Sequence, residues 1–309
     1  MSVVLATKAD LNDLRRLHQK ARYRFADFGE EDLPSLVDAS VSIMGRDDDI
    51  VWGFVSLQPE QRPATLVENA PSRCYFRALS LLSGYAPSDN VGPLLESAVS
   101  RLDVSGGPIL IIAYGGDAWI IDALRGAGFE LANQVQFYEL SRPHRQVNQR
   151  FARAGPAVLR PADSNDLDSL AVLDAAAFPP LWHFGQKDMF ELFLRSRMTI
   201  AMQGEGDKEV AEIVGYAAAI ANSDEELQLA RLAVRPDLQR AGIGRQLLAD
   251  VVTYAASERY ERIILNTQAD NERSQRLYRS AGFRPVGRSL PVLTRLIGER
   301  PDEGPSQGS

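Results

Sequence analysis

The sequence predicts an α/β (α+β) protein built from a duplicated domain, and three observations carry that prediction. Apolar residues fill 45% of the 309 positions, enough for a sizeable core and, at roughly 150 residues per domain, about two domains. Strand-like and helix-like stretches alternate, with a strand–helix–strand arrangement at the centre of the clearer half. The chain also repeats itself. ADLNDLRRL at 9–17 and ADSNDLDSL at 162–170 agree at six of nine positions with an offset of 153, and ALRGAGFE at 123–130 echoes LYRSAGFR at 277–284 with an offset of 154. Two echoes sharing one offset to within a residue point to a duplicated unit.

The first copy is expected over 1–144. In it Ile109–Ala113 reads as a buried strand, and Leu94, Leu95, Ala98, Val99 and Leu102 as one face of a helix. A polar, basic stretch (SRPHRQVNQRFARAGP, 141–156) supplies a linker, placed at 145–156. The second copy follows over 157–298. Ala157–Arg160 reads as a short strand, and Asp163 or Ser164 caps a helix running to about Ala177. An aromatic loop, FPPLWHFG (178–185), precedes an amphipathic helix over 187–197. Thr199–Gln203 and Glu212–Ala221 read as strands joined by a turn at Gly204–Lys208. Glu226–Val234 is a strand stopped by Arg235-Pro236-Asp237. Leu247, Leu248, Val251 and Val252 then mark a helix over 242–258. Arg262–Thr267 is an apolar strand, Asn271–Ala281 a helix closed by Gly282, and two final strands fall within 284–297. The Gly-, Pro- and Glu-rich tail, 299–309, reads as disordered.

Composition narrows the function. Asp and Glu number 41 against 34 Lys and Arg, a net charge of −7, which argues against a dedicated nucleic-acid binder. Cys74 is the single cysteine, with only His18, His144 and His183 beside it, so neither an internal disulfide nor a Cys/His zinc site is expected. The opening apolar stretch Val3–Ala6 is too short for a signal-peptide core, and Pro108–Tyr114 is too short to cross a bilayer. A cytoplasmic protein with no membrane partner and no metal is the expectation.

The segment LARLAVRPDLQRAGIGRQLLADVV (229–252) carries the chemistry. A strand ends at Val234, and the loop Gln239-Arg240-Ala241-Gly242-Ile243-Gly244 leads into a helix. Glycines at 242 and 244 clear space for consecutive backbone N–H groups to face a ligand, and the helix start adds unpaired donors and partial positive charge. That suits a phosphate or pyrophosphate, with Arg240 and Arg245 as supplementary cations. A dinucleotide fingerprint would need a third glycine where Leu247 stands, and a P-loop would need Gly-Lys-Ser/Thr. A glycine-containing strand-to-helix turn with no ligand is the alternative on the glycines alone.

Gln239–Gly244 matches the Q/R-x-x-G-x-G/A signature of the GNAT superfamily of acyl-CoA-dependent N-acetyltransferases, and LAVRPDLQ (232–239) resembles that family's fourth strand and following loop. Downstream, Asn271–Ser274 and Leu277–Phe283 resemble its last helix, N-x-x-[AS]-x-x-L-Y-x-x-x-G-F. The resemblance covers about 155–298. It implies two fused GNAT-like domains, each a mixed, mostly antiparallel sheet flanked by helices, and acetyl-CoA as acyl donor. The residues it implies for cofactor binding are Leu232, Ala233, Val234, Gln239, Arg240, Ala241, Gly242, Ile243, Gly244, Arg245, Asn271 and Ser274. Asn271, Ser274 and Tyr278 stand at i, i+3 and i+7 and so share a helix face. In the family, the tyrosine at the position of Tyr278 protonates the departing thiolate. An acceptor amine needs a proton acceptor, and Glu226, on the same strand as Val234, is the candidate base, with water as the alternative. Phe178, Trp182 and Phe184 lie where the family places its acceptor loop, and suit a hydrophobic amine or a packing role.

The first copy lacks this signature. The offset puts Ser88 and Asn90 opposite Gly242 and Gly244, and Leu124 opposite Tyr278, so it is expected to keep the fold without the chemistry and to help shape the acceptor pocket. Two functions follow. One is an acetyl-CoA-dependent N-acetyltransferase acting on a small-molecule or peptide amine through its second domain. The other is a non-catalytic acyl-CoA-binding regulatory protein.

Overall fold

The computed structural model describes residues 2–66, 70–146, 155–203 and 212–298. Part of the expected linker (147–154), the expected turn at 204–208 and the tail 299–309 lie outside these. The chain forms two compact units, Met1–Arg62 with Asn69–Asn133 and Leu290–Ser309, and Pro63–Glu68 with Gln134–Ser289. These are not the contiguous halves that the repeat suggests. The last strand of each copy in sequence completes the sheet of the other copy.

In the first unit the strands β1 (Ser2–Leu5), β3 (Val41–Asp47), β4 (Ile50–Pro59), β5 (Ser72–Leu81) and β6 (Ile109–Tyr114) lie in that order. The end of β13 (Arg284–Ile297) closes the sheet, with Val292–Ile297 antiparallel to β6. All neighbours are antiparallel except β5 and β6, which run parallel over Ser72–Tyr75. The helices are α1 (Leu11–Lys20), α2 (Leu33–Ala39), α3 (Pro87–Val99) and α4 (Ala118–Gly126). Leu94, Leu95 and Ala98 of α3 and Ile111 and Ala113 of β6 are fully buried in one core, as their spacing predicts.

One element here went unread in the sequence. Strand β2 (Tyr23–Ala26) pairs antiparallel with Ala78–Leu81 of β5. Strands β5 and β6 part after Tyr75, and β2 lies along the freed edge of β5. Its Tyr23 ring rests 5.3 Å from Trp119, and Phe25 5.6 Å from Phe76.

The second unit repeats the plan. Strands β8 (Val158–Pro161), β9 (Arg197–Gln203), β10 (Glu212–Ala221), β11 (Glu226–Val234) and β12 (Arg262–Gln268) lie in order, and β7 (Glu130–Ser141) closes the sheet through Val135–Ser141. Again one pair, β11 and β12, runs parallel, over Glu226–Leu229. Helices α5 (Leu167–Ala177) and α6 (Gln186–Arg195) cover one face, with Leu170, Met189, Ile200, Tyr216 and Ala218 in their core. Helix α7 (Ile243–Ser257) and the residues Tyr278 and Phe283, in and just after α8 (Glu272–Ser280), share the opposite core with Ala217, Ala219, Tyr138 and Leu140. The alternation of Tyr216, Ala217, Ala218 and Ala219 between the two cores is the period-2 pattern of a sheet buried on both sides.

Most expected elements of this unit are present. Asp163 caps as read, accepting a hydrogen bond from the Asn165 N–H at 2.8 Å. The second helix ends at Arg195, because Arg197 already opens β9, paired with Ala219 of β10. The two final strands are one 14-residue strand, with Gly287 inside it at φ +65°.

Candidate functional site

Local sequence places a bulge in β11. Ala218 of β10 faces Arg231 while Ala219 faces Leu229, so Ala230 is the extra residue. An extra residue in one strand puts two successive side chains on the same side. Ala230 and Arg231 therefore both meet the α5–α6 side, and Arg231 reaches α5. The bulge recurs in the first unit at Arg77, between Phe76 and Ala78, which makes Ala78–Leu81 the counterpart of Arg231–Val234. The first unit's edge is paired with β2; among the described residues, no strand pairs with the second unit's equivalent edge.

That edge opens into a cavity of about 810 Å³. Leu232, Ala233 and Val234 form one wall, and Gln239, Arg240, Gly242, Gly244 and Arg245 another. Asn271 and Ser274 line it from α8, and Phe178 and Trp182 from the aromatic loop. Twelve of the residues singled out in the sequence thus share one cavity. Ala241, Ile243, Phe184, Tyr278 and Glu226 are not among its lining residues. Ile243 is instead a core residue, 1% exposed.

The loop geometry suits an anion. Gly242 is the N-cap of α7 at φ +93°, and no side chain caps the helix. Arg240 also takes a left-handed conformation, at φ +75°, a backbone state that costs a non-glycine residue roughly 1–2 kcal/mol. The Gln239 amide donates to the Val234 carbonyl at 3.1 Å, tying the loop to the end of β11. In the first unit α3 starts at Pro87, so Ala86, at φ −66°, takes the N-cap place rather than Ser88. Ser88 and Asn90 sit inside the first turn, where Asn90 donates to the Ala86 carbonyl.

Asn271 is the N-cap of α8, its side chain accepting from the Ser274 N–H at 3.1 Å. It thus serves as a cap at the cavity rather than as a member of a helical face. Tyr278 is 6% exposed, with its ring 6.3 Å from Tyr138 and 6.0 Å from Phe283. Burial pushes its phenol up to about 12; a hydrogen bond with Ser274 and the positive charge of Arg231 pull the other way. Tyr138 arrives on β7 and is itself held, donating to Gln275 at 3.2 Å and accepting from Arg279 at 3.1 Å.

Glu226 is a correction. It opens β11, six residues before Leu232, which is about 20 Å along a strand. There it accepts from Asn222 at 3.0 Å and from Arg262 at 2.6 Å. These hydrogen bonds, with the Arg262 charge, hold its carboxyl below the usual carboxylate range. The right strand and the right residue type did not suffice, because position along the strand decides which end of the sheet a side chain serves.

A buried polar cluster next to the cavity was missed. Asp174 is fully buried and takes four hydrogen bonds. Arg231 Nε and Nη2 donate to it at 2.8 and 2.7 Å, the Phe184 N–H at 2.6 Å, and the Tyr216 hydroxyl also donates. Arg231 Nη2 further donates to the Trp182 carbonyl at 2.6 Å, and its guanidinium lies 3.7 Å from the Phe178 ring and 4.0 Å from that of Phe184. Burial and the Asp174 charge push the Tyr216 phenol far above its ordinary value. The cluster fastens the aromatic loop to the sheet. Beyond it, Pro63 lies where a side chain on Gly185 would stand, 2.7 Å from the Cβ position, so the start of α6 tolerates only glycine.

Among the described residues no cluster of His, Cys, Asp or Glu could hold a metal ion, and no helix is long and apolar enough to cross a membrane.

Comparison with known proteins agrees with this geometry. The sequence profile of the acetyltransferase (GNAT) family matches residues 167–283. The chain is similar to human N-acetyltransferase 8, at 26% identity over 144 residues, covering 41% of this chain and 63% of that protein. It is 33% identical over 93 residues to human N-acetylaspartate synthetase, covering 28% of this chain and 31% of that one. The match thus spans less than two thirds of either relative. In fold, 96% of the chain superposes on 99% of a tandem GNAT protein from the clavulanic acid biosynthesis pathway, with a TM-score of 0.62 at 12% identity. A GCN5-related N-acetyltransferase from Sphaerobacter thermophilus superposes over 96% of this chain and 95% of its own, with a TM-score of 0.59 at 12% identity. Residues 167–283 thus match the acetyltransferase (GNAT) family, and the chain as a whole has the fold of a tandem GNAT protein.

Proposed function

We propose that the second unit transfers an acetyl group from acetyl-CoA to a primary amine and that the first unit is a degenerate copy. One observation carries this reading. The unpaired edge of β11 runs directly into an uncapped helix start. The first unit shows what such an edge accepts, since β2 lies there as an extended chain bonded through its amides. The pantetheine arm of CoA is likewise extended and carries amides, and its pyrophosphate suits the donors at Gly242–Arg245. Arg240 and Arg245 line the cavity beside them. The residues present therefore fit the cosubstrate.

When bound, acetyl-CoA supplies the acetyl group as an activated thioester. The chain's part is positioning and proton transfer. Leu232–Val234 hold the arm against the sheet, and the aromatic loop bounds the space where an amine enters. Tyr278 Oη, hydrogen-bonded to Ser274 of the cavity lining, holds the proton that the departing sulfur needs. With Glu226 at the other end of β11, the proton of the attacking amine leaves through water in the cavity. Tyr278 also favours an enzyme over an acyl-CoA-binding regulator, which has no use for a proton donor at that place.

Full-length protein with acetyl-CoA and a broad amine panel tests the proposal, read as thiol release and confirmed by product mass. Amine-dependent thiol release with a mass gain of one acetyl group is the expected result. Tight acetyl-CoA binding without transfer to any amine would assign the chain to the regulatory reading.

A further inference from the structure

We infer that the acceptor is a primary amine on an apolar, aryl or alkyl body, carrying neither a carboxylate nor a second cationic centre. This inference rests on the acetyltransferase reading above and concerns the end of the cavity that it leaves for the amine. That end is formed by Ala177, Phe178, Pro179 and Trp182. Recognition of an amino acid needs a cation there, and recognition of a polyamine needs a carboxylate.

The aromatic wall holds one candidate of each sign, and each is engaged with the other. Arg231 spends Nε and Nη2 on Asp174, shares Nη2 with the Trp182 carbonyl, and lies between the Phe178 and Phe184 rings. Its side chain is 11% exposed and that of Asp174 not at all. A substrate carboxylate would find the bidentate Nε/Nη2 edge of that guanidinium taken by Asp174, and drawing Arg231 away would leave Asp174 buried without its counter-charge. An ammonium group seeking Asp174 meets the same obstacle. Of the other arginines lining the cavity, Arg240 stands on the loop before α7, Arg245 in the first turn of α7, and Arg273 and Arg276 on α8, while the acids Asp270 and Glu272 stand just before α8 and at its start. Charge therefore gathers on the cosubstrate side, and the wall left for the acceptor offers aromatic faces. An apolar body fits such a wall, and a charged substituent placed against it loses water without gaining a partner.

Matched pairs test this on the full chain: 2-phenylethylamine against phenylalanine, and tryptamine against tryptophan, with aspartate and spermidine as further arms. Within each pair only the carboxylate differs. The expected kcat/KM advantage of the amine over its amino acid is about 100-fold or more, the range a site lacking the needed polar partner imposes. Trp182→Ala should raise KM for tryptamine at least about fivefold with acetyl-CoA affinity unchanged, consistent with loss of one aromatic contact. Equal or better use of phenylalanine, aspartate or spermidine overturns the inference. A second readout separates it from the acetyltransferase reading. Calorimetric titration of the CoA-saturated protein should show tryptamine binding and no aspartate binding even if turnover is absent. Absence of tryptamine binding, or aspartate binding in its place, refutes the inference whatever the turnover.

Discussion

Replacing Asp174 by alanine should destabilise the second unit severely. The carboxylate is fully buried and receives four donors, two from Arg231, one from the Phe184 backbone and one from Tyr216. Removing it strands a guanidinium whose side chain is 11% exposed. Breaking a buried ion pair from one side costs about 3–5 kcal/mol. At about 2–4 °C per kcal/mol for a unit of this size, the melting temperature should fall by roughly 6–20 °C. Circular dichroism during thermal unfolding measures this, and limited proteolysis should show faster cleavage within 178–185, since the Phe184 and Trp182 backbone groups lose their anchors. The double variant Asp174→Leu with Arg231→Met should recover most of the loss, because an apolar pair of similar volume removes both charges together. A melting temperature of Asp174→Ala within 2 °C of the parent, or a double variant no better than the single, would refute the argument that the pair and not the volume holds the loop.

Tyr278→Phe should lower turnover by about 10²–10⁴-fold with acetyl-CoA affinity nearly unchanged; a loss under threefold would assign Tyr278 to packing. Because burial pushes that phenol to about 12, turnover should show no falling basic limb near pH 10, the ordinary tyrosine value. The same raised value means that the stability contributed by the neutral phenol is complete below pH 10 and is lost as pH climbs from there towards about 12. One acetyl-CoA should bind per chain by calorimetry, since β2 occupies the first unit's edge, and two equivalent sites would contradict this. Gly242→Asp should weaken that binding about tenfold or more, through a side chain forced to φ +93° and a charge repelling phosphate. A fragment covering 157–309 should aggregate or melt well below the full chain, because it lacks β7 and with it the fully buried Tyr138 and Leu140; a soluble, equally stable fragment would show that the first half's sequence is dispensable to the second unit.

What could be read from the sequence was local. The loop Gln239–Gly244 and the Asn271–Ser274–Tyr278 spacing declare themselves within a few residues, because a helix start and a helix cap are set by their own neighbours. Glu226 shares its strand with Val234, but distance along the strand, which residue type does not reveal, sets it far from Leu232–Val234. The partnership of Asp174 and Arg231 left a signal that could have been used. Each is a lone charge inside an apolar run, AVLDAAAF and LQLARLAV, and two opposite charges at core-facing positions of one domain call for each other. The strand Tyr23–Ala26 was illegible, since four residues of mixed polarity become a strand only where a neighbouring pair has opened an edge for them. The closing strands were assigned to the wrong copies for a similar reason, because a repeat records ancestry in sequence and says nothing about which edge a strand joins.

That crossing of closing strands sets an order on the chain's birth. During synthesis the first unit has all its strands but one when β6 has emerged, and must wait for Val292–Ile297, made after every strand of the second unit. Meanwhile β7, already made, has no partner until β12 appears. The nascent chain thus carries an unsatisfied sheet edge until the end of β13 emerges, a state prone to pairing with other chains. Termination anywhere before residue 292 would leave the first unit's sheet open, so the stretch Val292–Ile297 becomes a condition for folding strands made long before it.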